Sequence, residues 1–244
     1  MTSAERVKYP RTPHLPSSPG AAADDVVLAA GDLLAGRQIV LTEKMDGENT
    51  TIGTLAGPDG QHGYVHARST DSGPHPSRSW VRALASTLHP ELPAGMRICG
   101  ENLYARHSIG YDDLPTYFLV FGVWQNDACL SWDDTVEWCA LLGLTLVPVL
   151  YRGPFVSEAH LLDVWRDRRD PRTSEGFVVR DAAAFPRVEF AVRVGKWVRP
   201  GHVQTGQHWM TTAVVPNGLA PSSSPTRSSG VSWPVTWLGC GRGG

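Results

Sequence analysis

The sequence predicts an α+β chain built on antiparallel β structure, with helices confined to the long connections. Short runs rich in Val, Ile, Thr and aromatic residues recur between Gly, Pro and Asp turn signals. Helix starts marked by Ser or Asp stand only in the longer gaps between those runs. No internal repeat is visible.

In chain order, residues 1–25 read as an irregular lead-in carrying Pro10, Pro13, Pro16 and Pro19. Strands are predicted at 38–43, 49–56 and 63–68, the last two joined by the turn Gly57-Pro58-Asp59-Gly60. A polar loop at 69–76 leads to a helix at 77–88 capped by Ser77. Strands follow at 96–100 and 117–125, then a helix at 132–143 opened by Ser131 or Asp133 and closed by Gly143. A strand at 145–151, a helix from Ser157 to about 168, and strands at 176–181 and 188–195 complete the core. The domain is predicted to span 26–219. Residues 220–244, rich in Ser, Gly and Pro, are predicted to be a disordered tail in which only Trp233 and Trp237 argue otherwise.

Composition excludes several classes. The chain has 244 residues, 41% hydrophobic and 19% charged, an ordinary globular balance. No apolar stretch approaches the roughly 18 residues of a membrane span, and the N-terminus lacks a signal pattern, so a cytoplasmic monomer without membrane contact is expected. None of the four cysteines forms C-x-x-C, which argues against a zinc or redox motif. The net charge of −2 does not mark a nucleic-acid binder. Polyanion contacts would have to come from clusters such as 97–106, 166–172 and 196–202.

The chemistry is carried by an ordered constellation. Lys44 ends an apolar strand and precedes the turn Asp46-Gly47, in EKMDGEN. Such a strand delivers an ammonium into a pocket. Taken alone, K-x-D-G also describes a surface hairpin with a solvated lysine. A nucleophilic lysine attacks only when neutral, so burial or neighbouring cations must lower its pKa. Arg68 ends the third strand, Glu101 ends the next in GENLY, and Phe121 lies in the strand YFLVFGVW. Glu175 opens the strand EGFVVR, and Lys196 follows the last strand in VGKWVR. Each residue alone has an ordinary structural reading, as strand end, surface charge or core.

Together and in this order, from about Val40 to Arg199, these segments resemble the covalent nucleotidyltransferase superfamily of ATP-dependent RNA and DNA ligases and capping enzymes. Asn49, giving E-K-x-D-G-x-N, is similar to the phage and editing type of RNA ligase. The resemblance implies an ATP-grasp-like ligase adenylation domain of antiparallel sheets flanked by helices. The short stretch after Lys196 leaves no room for an OB domain. It implies ATP as the nucleotide, with Mg²⁺ or Mn²⁺, and RNA ends as partners, including ends in a nicked duplex with DNA.

By the same resemblance Lys44 attacks the α-phosphorus and becomes lysyl-AMP. Arg68 binds phosphate or the ribose edge, Glu101 holds the ribose hydroxyls, and Phe121 stacks on adenine. The backbone at Glu43 faces the adenine edge, and Asn49 completes the first motif. Glu175 positions the metal, and Lys196 contacts the α-phosphate; Lys196 and the metal together place positive charge beside Lys44 and so lower its pKa. The function implied is joining of 5′-phosphate and 3′-hydroxyl RNA ends. The alternatives are a nick-sealing repair ligase and a degenerate nucleotide- or RNA-binding module. Two positions depart from the pattern: Val194 stands where many relatives have a first lysine, and Gly122 where many have Asp. Arg193 or Arg199 would have to stand in for that lysine, and His107 beside Arg106 is a weaker candidate contact to the phosphorylated strand.

Overall fold

The structure, a computed structural model, describes residues 5–28, 34–202 and 213–221. Two antiparallel sheets face each other. The first has four strands, ordered β11 (Val194–Val198), β9 (Gly176–Asp181), β1 (Gln38–Glu43) and β8 (Val149–Pro154). The second runs β10 (Phe185–Pro186), β6 (Ala128–Cys129), β5 (Phe118–Gln125), β4 (Met96–Asn102), β2 (Glu48–Gly57) and β3 (Gly60–His66). A short β7 (Thr145–Leu146) lies parallel to β5.

Strand alternation explains the layering. Ile39 and Leu41 of β1 join Phe177, Val179 and Trp197 in packing on α3 (Glu158–Arg168), through Leu161 and Trp165. Val40, between them, points the other way, toward Leu119 and Trp132 in the space between the sheets. On the far face of the second sheet, Ile52, Ile98, Phe118 and Val120 pack against α1 (Ser79–Leu88) and α2 (Trp132–Leu141), through Val81, Ala85 and Cys139. Each such side chain stabilises the fold by about 1.5–3 kcal/mol. The N-terminal segment is irregular yet packed. Leu15 is fully buried in the first core, and Pro13 and Leu15 hydrogen-bond both sides of the Lys196 backbone along the free edge of β11.

A bulge in β5 sets the site. Cys99 pairs with Gly122 and Gly100 with Val120, so Phe121 is the extra residue. The alternation therefore changes phase there, and both Phe121 and Trp124 project into the space between the sheets.

Several expectations are corrected. The predicted strand at 188–195 is a 3₁₀ turn at Arg187–Glu189, then a short helix α4 (Phe190–Arg193), then β11. Pro186 opens the turn, and Arg193 pairs with Glu189 one helical turn back, local bonds that a strand cannot make. Lys196 consequently sits in the middle of β11 rather than beyond a strand end. The strand β3 stops at His66, which leaves Arg68 in the following loop. Ser77 lies in a 3₁₀ turn capped by His75, and α1 has no side-chain cap. The predicted strand at 145–151 is split into β7 and β8 around Val147-Pro148, since proline cannot donate a ladder hydrogen bond. The caps Ser131 and Ser157 are as predicted, accepting from the backbone N–H of Asp134 and His160. Residues 222–244 of the proposed tail, Trp233 and Trp237 among them, lie outside the described residues, as do residues 203–212 after the last motif.

Candidate active site

Between the two sheets opens a cavity of about 1000 Å³. All eight residues singled out in the sequence line it: Glu43, Lys44, Asn49, Arg68, Glu101, Phe121, Glu175 and Lys196. The first sheet supplies three of its charged groups. Lys44 follows the last residue of β1, and its backbone N–H donates to Gly176 O at 3.0 Å. Its Nζ donates to Glu175 Oε2 at 2.6 Å. Glu175 is itself fixed by its neighbours. Arg199 N donates to its carbonyl, and Trp165 Nε1 donates to the adjacent Ser174 Oγ. Lys196 enters from β11, two strands from β1.

Two glycines allow this convergence. Gly176 has φ +152°, and a Cβ there would lie 2.0 Å from Trp197 O, so only glycine lets β9 meet β11 beside Glu175. At Gly47 a Cβ would lie 2.7 Å from Asn102 O, which fixes the turn after Asp46 against β4.

The second sheet supplies the remaining wall. Asn49 on β2 is directly opposite Glu101 on β4. Phe121, from the bulge, meets Tyr9 edge-on at 5.0 Å. Tyr9 is one of five consecutive lead-in residues, Lys8 to Thr12, that line the cavity.

Burial pulls the Lys44 ammonium toward neutrality, but Glu175, Glu101 and Asp46 outweigh it, and the pKa is raised. As the protein's own groups arrange it, Lys44 is held charged. Lys196 alone, without the metal expected beside it, does not outweigh these three carboxylates. Lys196 itself is lowered, by burial first and then by the Lys44 charge. Burial, with Glu175 and Asp46 nearby, pushes the Glu101 carboxyl up to about 8 despite the opposing pull of Lys44.

Glu43 turns its side chain away from the cavity centre to an ion pair with Arg169. The two departures from the motif pattern are structural: Val194 packs with Phe185 and Phe190, and Gly122 lies beside Arg180. Neither Arg193 nor Arg199 replaces the absent lysine. Arg193 is bound by Asp181 and Glu189, and Arg199 by the Ser174 carbonyl. His107 lines the cavity, its pKa lowered by burial against the pull of Asp46. The charge clusters proposed for polyanion contact are largely committed elsewhere. Arg97 is buried against Trp124, Arg166 meets Asp163, and Arg172 meets Asp170.

Sequence reasoning missed four contributors. Asp46 ties the site to the β4–β5 connection, accepting from Ile109 N at 2.7 Å, while its own N–H donates to the Tyr111 hydroxyl at 2.9 Å. Arg78 holds Glu48 through a buried, forked ion pair at the rim. Arg180 and Arg187 also line the cavity. The D-G after Lys44 was a visible signal for Asp46. Arg78 and Arg187 carried none, because their positions depend on turns that the sequence pattern does not mark.

Comparison with known proteins agrees with this geometry. Residues 37–198 match the family model described as RNA ligase. Two structures titled archaeal ATP-dependent RNA ligase, forms 2 and 1, superpose with TM-scores of 0.55 and 0.53 at 17% and 18% identity. Each comparison covers 78% of this chain and 48% of the other. A putative ATP-dependent DNA ligase from Aquifex aeolicus superposes with a TM-score of 0.50 at 20% identity, covering 78% of this chain and 49% of that one. The chain thus spans about half the length of these solved relatives, and at such identities the likeness concerns the fold. No curated protein matches the sequence. Among the described residues, no helix is long and apolar enough to cross a membrane. With the family model matched from β1 through β11 and the motif residues gathered around one cavity, the chain belongs to the RNA ligase family.

Proposed function

We propose that this chain is an ATP-dependent RNA ligase in which Lys44 takes up AMP and passes it to a 5′-phosphate end for joining to a 3′-hydroxyl. The observation that carries the reading is the meeting of Lys44, Glu101, Glu175, Lys196 and Phe121 around one cavity large enough for a nucleotide. Lys44 Nζ attacks the α-phosphorus. A P–N bond forms, the bond to the bridging oxygen of the β-phosphate breaks, and pyrophosphate leaves. Lys196, which lines the same cavity, stabilises charge developing on the α-phosphate. Glu101, opposite Asn49, faces the sugar, and the Phe121 ring offers a flat surface to adenine.

Attack requires neutral Lys44, and the carboxylates around it hold the proton. The residues present suit a divalent cation, because Glu175 and Asp46 are acidic groups converging beside Lys44. Such a cation, when bound, supplies positive charge that offsets those carboxylates. With those carboxylates offset, Lys44 would lose its proton to solvent more readily and present a neutral amine.

The test is incubation of wild type and Lys44→Ala with α-labelled ATP, a divalent cation and pyrophosphatase. Acid-labile, alkali-stable label on wild type alone is expected, and label persisting on Lys44→Ala would sink the assignment. Transfer to 5′-phosphorylated RNA, followed by a sealed product, completes the reading. Sealing of nicked DNA in preference to RNA would replace the acceptor.

A further inference from the structure

We infer that His202 is a direct ligand of a divalent cation bound between Asp46 and Glu175, giving this site a nitrogen donor and a preference for first-row transition ions over Mg²⁺. The inference deepens the ligase reading at the same site.

The two carboxylates each have one committed oxygen and one that faces His202. Asp46 Oδ2 accepts from Ile109 N at 2.7 Å, and Glu175 Oε2 accepts from Lys44 at 2.6 Å. The other two oxygens, Asp46 Oδ1 and Glu175 Oε1, lie 3.8 and 3.4 Å from His202 Nε2. The imidazole side chain is 1% exposed, and among the described residues neither ring nitrogen has a hydrogen-bond partner. A buried imidazole with both nitrogens unsatisfied is costly, so the group calls for an occupant that the described residues do not supply.

The spacing suits an ion. All three donor atoms lie within 4.8 Å of one another. Two ligands bound at about 2.1 Å to one ion stand roughly 3.0–3.4 Å apart, so the His202–Glu175 pair is already at that spacing and the His202–Asp46 pair reaches it by closing a few tenths of an ångström. An imidazole beside two carboxylates favours transition ions, whereas Mg²⁺ favours oxygen and water. The backbone delivers His202 there for a local reason. Arg199 N donates to Glu175 O as β11 ends, and the Pro200-Gly201 turn brings the next residue back over Glu175.

The experiment uses the full chain without nucleotide and Mn²⁺ as the probe, followed by electron paramagnetic resonance. One tightly bound Mn²⁺ with ¹⁴N coupling from an imidazole is expected, and a tenfold excess of Mg²⁺ should leave most of it in place. His202→Gln should abolish the nitrogen coupling and weaken Mn²⁺ binding on the order of 10-fold or more. His202→Ala with an unchanged circular dichroism spectrum serves as the second variant, so that a folding defect in one does not decide the matter. Mn²⁺ bound without nitrogen coupling, or bound equally by both variants, overturns the inference. The ligase reading fails separately. Mn²⁺ held through His202 on a chain that never takes up AMP would refute the enzyme and leave the site, whereas AMP uptake with no nitrogen coupling would do the reverse.

Discussion

The two sheets build the same cavity in different ways. The second sheet is mostly a local meander: β2 pairs with β3 across the Asp59-Gly60 turn, and β4 with β5 and β5 with β6 in chain order. It contributes a ring, a half-buried carboxyl and an amide: Phe121, Glu101 and Asn49. The first sheet is assembled from distant segments, with β1 between β8 and β9 and the lead-in on the edge of β11. It contributes three charged groups of the cavity, Lys44, Glu175 and Lys196, to which the proposed reading assigns the chemistry. The contrast suggests a division of labour. On the proposed reading, the local sheet shapes a berth for the nucleotide, and the non-local sheet brings together charges that only the finished fold can hold at 2.6 Å.

The comparison can be broken most forcefully at the rim of the second sheet. Arg78 and Glu48 are 8% and 9% exposed and joined by a forked ion pair. Arg78→Met leaves Glu48 buried without its partner, a change that costs about 3–5 kcal/mol. Thermal unfolding should fall by roughly 2–4 °C for each kcal/mol in a chain of this size. An unchanged melting temperature would show the pair to be solvated and the rim of that sheet unimportant to its stability.

Next come the charges of the first sheet. Glu175→Gln and Lys196→Met should each lower the rate of AMP uptake on the order of 10²-fold or more, with less effect on the ATP concentration needed. Phe121→Ala should do the opposite, raising the ATP concentration for half-maximal uptake about 10-fold, from lost ring contact worth about 1.5 kcal/mol, and sparing the maximal rate. Single-turnover labelling across ATP concentrations separates the two patterns. If Phe121→Ala struck the maximal rate and Lys196→Met the ATP dependence, the division of labour would be reversed.

What the sequence made legible follows the same line. Strands β1, β2, β4, β5 and β9 were readable because each alternates or forms a β-rich run between turn signals, and Ser131 and Ser157 announced their helices. The eight site residues were readable through motif order, which encodes the topology that gathers them. The segment 187–198 misled because Val188, Val192 and Val194 mimic a strand, while the helical turn is stabilised by the Arg193–Glu189 pair and by Phe190 docking on Trp124. The lead-in reads as irregular because its prolines hide any period, yet Tyr9 and Leu15 are placed by partners far along the chain. The Lys44 pKa was read from cations expected beside it, and the three carboxylates became countable only once their positions were known.

The smallest effect tests whether the two sheets act independently. Tyr111 lies in the connection between β4 and β5, on the side of the second sheet, yet its hydroxyl accepts from the backbone N–H of Asp46 at 2.9 Å, two residues beyond Lys44. The same connection holds Asp46 Oδ2 through Ile109 N, and it is anchored in turn by Asn217 Oδ1, which accepts from Tyr111 N. Tyr111→Phe keeps the ring and removes only the acceptor, leaving the Asp46 N–H unpaired in a buried turn. The expected cost is about 1 kcal/mol of stability. If the turn after Lys44 is held from the second sheet, AMP uptake should also slow by about 3-fold, because the carboxylate beside the lysine loses part of its anchorage. A melting temperature lowered by a few degrees with an unaltered rate of uptake would instead show that the first sheet positions Lys44 unaided.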